Sequence, residues 1–234
     1  MLKQMTPEKA VQFTKFSMIL TFCWPPSIHS SRTKVLVFKV IQIMSIIHGF
    51  IQILAFLHTI YYHLGNILLV SKSFCLLLAA TECIVQTLVC FVNHNSLQRI
   101  IEEIMICLEE ANQSEREIFD KYTAKCSPFY GGSIVLIYGT ATLFLLGPIF
   151  MPINFPLDIE YPFEIDYAPV NVIIYTHQAL TVYHFGAHTA LGIFGALLIW
   201  FSAARFECLA TEFKECLNVH TMIVCIKKQL YIRR

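Results

Sequence analysis

Charge is what this sequence has least of. Asp, Glu, Lys and Arg make up 14% of its 234 residues, whereas a soluble domain carries roughly a quarter. The formal net charge of +1 offers no attraction to nucleic acid, so no nucleic-acid partner is expected. The motifs that carry chemistry are missing too. There is no phosphate-cradling Gly loop, no HExxH, no nucleophile elbow and no CxxC, which leaves nucleotide chemistry, zinc hydrolysis, serine-type acyl transfer and dithiol redox work without residues to perform them. No catalytic residue, no cofactor and no metal set can be named, and the chain is not expected to be an enzyme. Its first residues, MLKQMTPEKAVQF, place a proline and a glutamate where a secretory signal needs an apolar centre, so no cleaved signal peptide is expected.

Apolar residues are abundant, at 56% of the chain with a mean hydropathy of +0.60, and they are gathered into runs. A hydrocarbon layer about 30 Å thick takes about 20 apolar helical residues to cross. Four runs qualify, at 35–62, 67–92, 132–151 and 172–201. The fold class expected is therefore all-α, a polytopic helical bundle in which membrane lipid is a partner. Spans one and two, together 35–92, are joined only by the uncharged residues 63–66, a tight helical hairpin. Spans one and four exceed a simple crossing, so tilt or extension beyond the bilayer is expected.

Orientation follows from lysine and arginine. Of the 17 Lys and Arg, all but Lys39 and Lys72 lie in the segments 1–34, 93–131 and 202–234, and none lies at 63–66 or in the 152–171 loop. The positive-inside rule places the first three segments, and so the N-terminus, in the cytosol. Lys39 and Lys72 stand near span ends, where they can snorkel. Nine cysteines look like a disulfide set until they are placed: Cys75, Cys83 and Cys90 fall within a span, and Cys23, Cys107, Cys126, Cys208, Cys216 and Cys225 in cytosolic segments. Thiols there stay reduced, so no disulfides are expected.

The segments between spans also have structure. Thr6-Pro7 is a helix start, and Ala10, Val11, Phe13, Phe16, Ile19 and Leu20 recur at nearly helical spacing. A short amphipathic helix on the inner surface is expected within 1–34, stopped by Trp24-Pro25-Pro26. Leu97, Ile101, Ile104, Met105 and Leu108 form an apolar stripe, so span two is expected to continue as a helix into the 93–131 segment. The 202–234 tail is expected to be helical in the same way through SAARFECLATEFKECL. Both extensions need a protein partner or another part of the chain over their stripes. The external loop, PINFPLDIEYPFEIDYAPVN, has four prolines and four acids and is expected to be ordered by turns. It is either a connector shielding helix ends or an aromatic, acidic cap over an apolar cavity.

Polar residues inside the spans are the candidates for function. His184 and His188 in HFGAH stand at i, i+4 on one helix face, a spacing that can hold metal or haem. A metal site needs further ligands, and none stands at matching depth, so packing histidines are the simpler expectation. Tyr175, His177, Tyr183 and His184 are candidate polar points in a mostly apolar small-molecule pocket. Glu82 lies near the middle of span two, where acids are rare and usually face the protein interior. His48 of span one lies within about 5 Å of its depth, at 1.5 Å rise per residue. A Glu82–His48 pair, or a neutral hydrogen-bonded Glu82, is the economical reading, with a proton relay as the exotic one.

In the second half, YPFEIDYAPVNVIIYTHQALTVYHFGAHTALGIFGALLIWFSAARFECLATEF resembles the fourth-helix region of insect odorant receptors, above all the expanded sets of ants, bees and wasps. The matching features are YPF before the helix, Tyr175 and Gln178 near its start, and ARFECL at its cytosolic exit. CIKKQLYIRR is similar to the stretch ahead of that family's fifth span, and Trp24-Pro25 fits as well. The resemblance covers the whole chain but only part of a seven-span fold. It implies a ligand-recognising subunit of an odorant-gated cation channel at the plasma membrane, with a small volatile odorant as ligand and the shared odorant receptor co-receptor as partner. It further implies an odorant pocket reaching the outer halves of spans two, three and four, and three later spans carrying the ion path; the four-span chain alone is expected to form no pore. A truncated, non-conducting receptor fragment and a histidine-based metal or haem membrane protein are the alternative readings.

Overall fold

The computed structural model describes residues 5–27, 30–165, 167–214, 223 and 226. In chain order the helices are α1 (Pro7–Ser17), a 3-10 turn at Ile19–Thr21, α2 (Arg32–Tyr62), α3 (Ile67–Val92), α4 (His94–Glu110), α5 (Gln113–Phe150) and α6 (Val170–Lys214). No strand occurs among the described residues. Four of these helices, α2, α3, α5 and α6, are long and apolar enough to cross a membrane. The architecture is that of an all-α, membrane-embedded chain. The run at 67–92 coincides with α3, the run at 132–151 covers the C-terminal part of α5 and overruns its last residue, Phe150, by one, and the run at 172–201 lies inside α6. Cys216, Cys225 and the basic residues from Lys227 onward lie outside the described residues.

Local side chains decide where helices begin and break. Thr6 Oγ1 accepts from the Lys9 N–H at 3.4 Å and Asn66 Oδ1 from the Leu69 N–H at 3.2 Å, each satisfying an amide that the first helical turn leaves free. The amphipathic helix ends sooner than its prolines require, at Ser17, followed by the 3-10 turn and by Phe22 at φ 52°. There the Thr21 hydroxyl donates to the Met18 carbonyl at 2.7 Å and accepts from the Cys23 N–H at 3.1 Å, competing with the helical ladder. Span two does not pass unbroken into the next segment either. Asn93 terminates α3 with both its backbone N–H and its side-chain amide on the Val89 carbonyl, and α4 starts one residue later. Asn112 and Glu115 then form a reciprocal cap for α5: the Glu115 N–H donates to Asn112 Oδ1 and the Asn112 N–H to Glu115 Oε2, both at 2.9 Å.

The chain divides into two compact units, one comprising residues 17–99 and 134–191, the other 1–16, 100–133 and 192–234. In the first, α2 shows the inverted pattern of a helix packed in lipid. Its buried face is Gln42, Gly49, Gln52, Phe56 and Thr59, mostly small or polar, while Leu36, Val40, Ile43, Met44, Ile47, Phe50 and Leu54 are exposed. Apolar side chains gain little by leaving hydrocarbon, so close backbone approach and hydrogen bonds drive packing instead. Gly49 meets Ile84 of α3 so closely that a Cβ there would stand 2.7 Å from Ile84 Cγ1.

The 152–171 loop enters the core of this unit. Leu157 and Ile159 are buried with Phe56, Ala80, Ala141 and Val182. The Leu157 N–H donates to Gln178 Oε1 and the Glu160 N–H to Thr59 Oγ1, both at 2.9 Å. Weak charged links join its edge to the helices: His63 Nε2 lies 3.4 Å from Glu160 Oε2, and Lys72 Nζ 3.5 Å from Asp158 Oδ2. Ahead of α6, its described residues (152–165 and 167–169) contain no helix or strand, in keeping with its prolines.

In the second unit, Ile104 and Leu108 of α4 are buried together with Ala10 and Val11 of α1, Phe119 and Cys126 of α5 and Ala204 and Cys208 of α6. The stripe on α4 is thus buried in part by the chain itself. Phe119 stacks on Phe201 at 5.3 Å and Tyr122 meets Trp200 edge-on at 5.8 Å. Arg116–Glu8 and Lys121–Glu207, each 3.0 Å apart, are solvent-screened pairs that add little to stability. The seven described cysteines are free thiols.

A histidine cluster and an outer apolar pocket

The first half of α6 carries polar side chains on two faces. Tyr175 donates from its hydroxyl to the Leu145 carbonyl of α5 at 2.7 Å, and the Tyr183 hydroxyl lies 3.3 Å from Thr142 Oγ1 of α5. His177 and His184 turn instead toward α2. Gln52 Nε2 lies 3.1 Å from each His177 ring nitrogen, and Ser45 Oγ lies 2.9 Å from His184 Nε2. The four candidates do not share one pocket. Two secure α6 to α5 and two join a network with α2.

That network is larger than the sequence showed. Thr181 Oγ1 donates to the His177 carbonyl at 2.9 Å, accepts from Gln52 Nε2 at 2.6 Å and lies 3.2 Å from His48 Nε2. With its own proton committed, Thr181 receives the His48 proton, which places hydrogen on His48 Nε2. His48 packs edge-on against His177 with centroids 4.7 Å apart and stands 6.0 Å from His184. His184 and His188 follow at 4.6 Å between centroids, with Nε2 atoms 3.1 Å apart. Gln52 Oε1, wholly buried beside the cluster, has no hydrogen-bond partner.

Glu82 does not pair with His48. It is exposed on α3, and its Oε1 accepts from Gln86 Nε2 at 2.7 Å. Counting depth along two spans matched the levels of the residues but not the directions in which they point. Leu78, Val85 and Val89, which share the helix face of Glu82, are exposed as well. Gln52, Gln86, Ser45 and Thr181, which the sequence did not single out, carry most of the network together with His188. For Ser45 and Gln52 the sequence signal is the spacing of polar residues at 42, 45, 48 and 52, which share one face of α2.

A separate apolar pocket of about 510 Å³ lies under the loop, lined by Ile51, Leu54, Ala55 and His58 of α2, Tyr161, Pro162 and Phe163 of the loop, and Ile173, Ile174 and His177 of α6. His58 Nδ1 lies 3.0 Å from the Glu160 carbonyl oxygen, so that nitrogen donates. Tyr175 lines a different opening of about 590 Å³, with Asn154, Phe155 and Asn171. Among the described residues, no three His, Cys, Asp or Glu side chains come together as a metal-holding group. Among the described residues the structure offers a buried, hydrogen-bonded polar network and, beside it, an apolar recess lined in part by His58 and His177.

No protein-family model matches the chain, and no curated protein matches it either.

Proposed function

We propose that this chain is the ligand-recognising subunit of an odorant-gated cation channel of the insect odorant receptor type, seated in the plasma membrane with its N-terminus in the cytosol and acting with the odorant receptor co-receptor. The observation that carries the reading is the apolar recess under the external loop. Its lining is almost wholly hydrocarbon and aromatic, its volume suits a small volatile molecule, and His58 and His177 supply the few polar points that orient a ligand. The loop serves as a lid by burying Leu157 and Ile159 and hydrogen-bonding to Thr59 and Gln178, a cap rather than a mere connector. The segment from YPF to ARFECL, on which the family resemblance rests, begins at Tyr161, directly after the buried part of the loop, and runs along α6 to Leu209. The distribution of lysine and arginine supports the orientation.

Binding tests it. The purified chain in lipid nanodiscs is screened against a panel of volatile alcohols, esters and ketones by ligand-observed NMR, with empty nanodiscs correcting for partition into lipid. At least one class is expected to bind saturably, and Ala55→Trp, which fills the recess, is expected to weaken that binding tenfold or more. Saturable binding untouched by Ala55→Trp, or none above partition, would sink the reading. Co-purification with the co-receptor tests the partner separately.

A further inference from the structure

The recess does not account for His188. It is 2% exposed, stands deeper along α6, and its partners run away from the recess toward α3. Nδ1 of His188 lies 2.9 Å from Gln86 Oε1. The Gln86 amide nitrogen is already committed to the Glu82 carboxylate at 2.7 Å, so its oxygen faces His188 and His188 Nδ1 carries hydrogen. A neutral His188 therefore presents a bare Nε2. That atom lies 3.1 Å from His184 Nε2. Two bare lone pairs repel at this distance, so a proton stands between them, held by His184. Thr87 Oγ1, 3.4 Å from His188 Nε2, donates to the Cys83 carbonyl at 2.8 Å and does not take over this role. The donors His184, His188 and Gln86 all point one way, and the chain ends on Glu82.

We propose that His184 and His188 form a single intramembrane proton-binding site, with Glu82 as its counter-charge and the Gln86 amide as the link between them. Uptake proceeds by relay. A hydronium ion gives its proton to the free Nδ1 of His184 and leaves as water. The N–H bond at His184 Nε2 then breaks as one forms at His188 Nε2. The charge comes to rest on His188, the imidazole that faces Gln86, and His184 is left neutral with its hydrogen on Nδ1. The site also gives Glu82 a reason to exist: a carboxyl group in an exposed apolar stripe of a span is costly unless a positive partner stands nearby. The other titratable groups on the packed faces are His48 from α2, Cys83 from α3, His177 and Tyr183 from α6 and Tyr138 from α5. Hydrogen bonds direct His48 to Thr181, His177 to Gln52, Tyr183 to Thr142 and Tyr138 to the Ser17 carbonyl, so none of these four competes for the shared proton.

The experiment is ¹⁵N-histidine NMR of the full chain in nanodiscs, titrated between about pH 4 and 8. At the alkaline end His188 is expected as the Nδ1–H tautomer and His184 as the Nε2–H tautomer. On acidification the two rings should change together with one midpoint and one proton, because strongly interacting groups titrate as a pair. Glu82→Gln, on an exposed face and isosteric, should move that midpoint down by about one pH unit, the effect of removing a nearby opposite charge. His188→Gln keeps a hydrogen-bonding side chain and should abolish the joint transition while the His48 and His177 signals persist, which also reports that the variant is folded. Separate midpoints for the two rings, a joint midpoint unmoved in Glu82→Gln, or stoichiometric metal in the purified protein would each overturn the proposal.

Discussion

Gly49 offers the sharpest test of how the first unit is packed. Replacing a helical glycine by alanine ordinarily stabilises by about 0.5–1 kcal/mol, because glycine loses more backbone freedom on folding. At Gly49 a Cβ would stand 2.7 Å from Ile84 Cγ1 and 3.0 Å from Cδ1. Ile84 is 6% exposed, so it has little room to withdraw, and overpacking of this kind costs about 1–3 kcal/mol. The clash wins, and Gly49→Ala should destabilise by about 1–2 kcal/mol net. For a chain of this length that is a fall in Tm of about 2–8 °C. Gly139→Ala is the control, since a Cβ there meets nothing within 4 Å and only the backbone term remains; it should be neutral or mildly stabilising. Combining Gly49→Ala with Ile84→Ala removes both clashing atoms, and the pair should show a favourable coupling of about 1–2 kcal/mol. The assay is thermal unfolding in one detergent, followed by fluorescence-detected size exclusion. Gly49→Ala as stable as the parent, or strictly additive with Ile84→Ala, would refute the close α2–α3 approach.

Other expectations are simpler to state. Asn112 lies in the sequence Asn112-Gln113-Ser114 and should carry no glycan in eukaryotic expression, because the proposed topology keeps it in the cytosol; a sugar there would invert the orientation. An impermeant maleimide applied to intact cells should add one label to Asp158→Cys and none to Lys121→Cys, and the reverse pattern would do the same damage. Asn112→Ala removes the reciprocal cap with Glu115 and should cost about 1 kcal/mol, read as faster hydrogen exchange over the first turn of α5; unchanged exchange would mean that packing alone holds that end. The Cys23 thiol is pushed far above its ordinary range by its hydrogen bond with Cys90 and by burial, and burial raises that of Cys107 as well. Both lack thiolate at neutral pH, so water-soluble maleimide should modify Cys107 slowly, faster as pH rises, and leave Cys23 untouched until the protein unfolds. Rapid labelling of Cys23 at pH 7 would contradict its burial.

Hydropathy made the four long helices legible, because a run of about 20 apolar residues has few soluble uses. Their ends were less so. The break at Asn93 and the cap at Asn112 depend on single side chains competing with the backbone, a signal spread over only three or four residues. The pairing of Glu82 with His48 failed for a different reason. Residue counting fixes depth to within a turn but leaves rotation about each helix free, and here Glu82 faces outward while His48 meets Thr181.

The sequence by itself determined that the chain is helical and apolar in four long segments, that its cysteines sit away from the 152–171 loop, and that His184 and His188 share a face, since those follow from composition, run length and the 3.6-residue period. Only the tertiary structure decided that Tyr175 and Tyr183 turn to α5 while His177 and His184 turn to α2, that His48 joins them, and that Gln86 links His188 to Glu82. Apart from Gln86 and Glu82, which are neighbours on α3, those partners lie 30 to 139 positions apart in the chain, and their meeting depends on which rotation of each helix lets Gly49 seat against Ile84 and the loop bury Leu157, a packing condition that no local pattern carries.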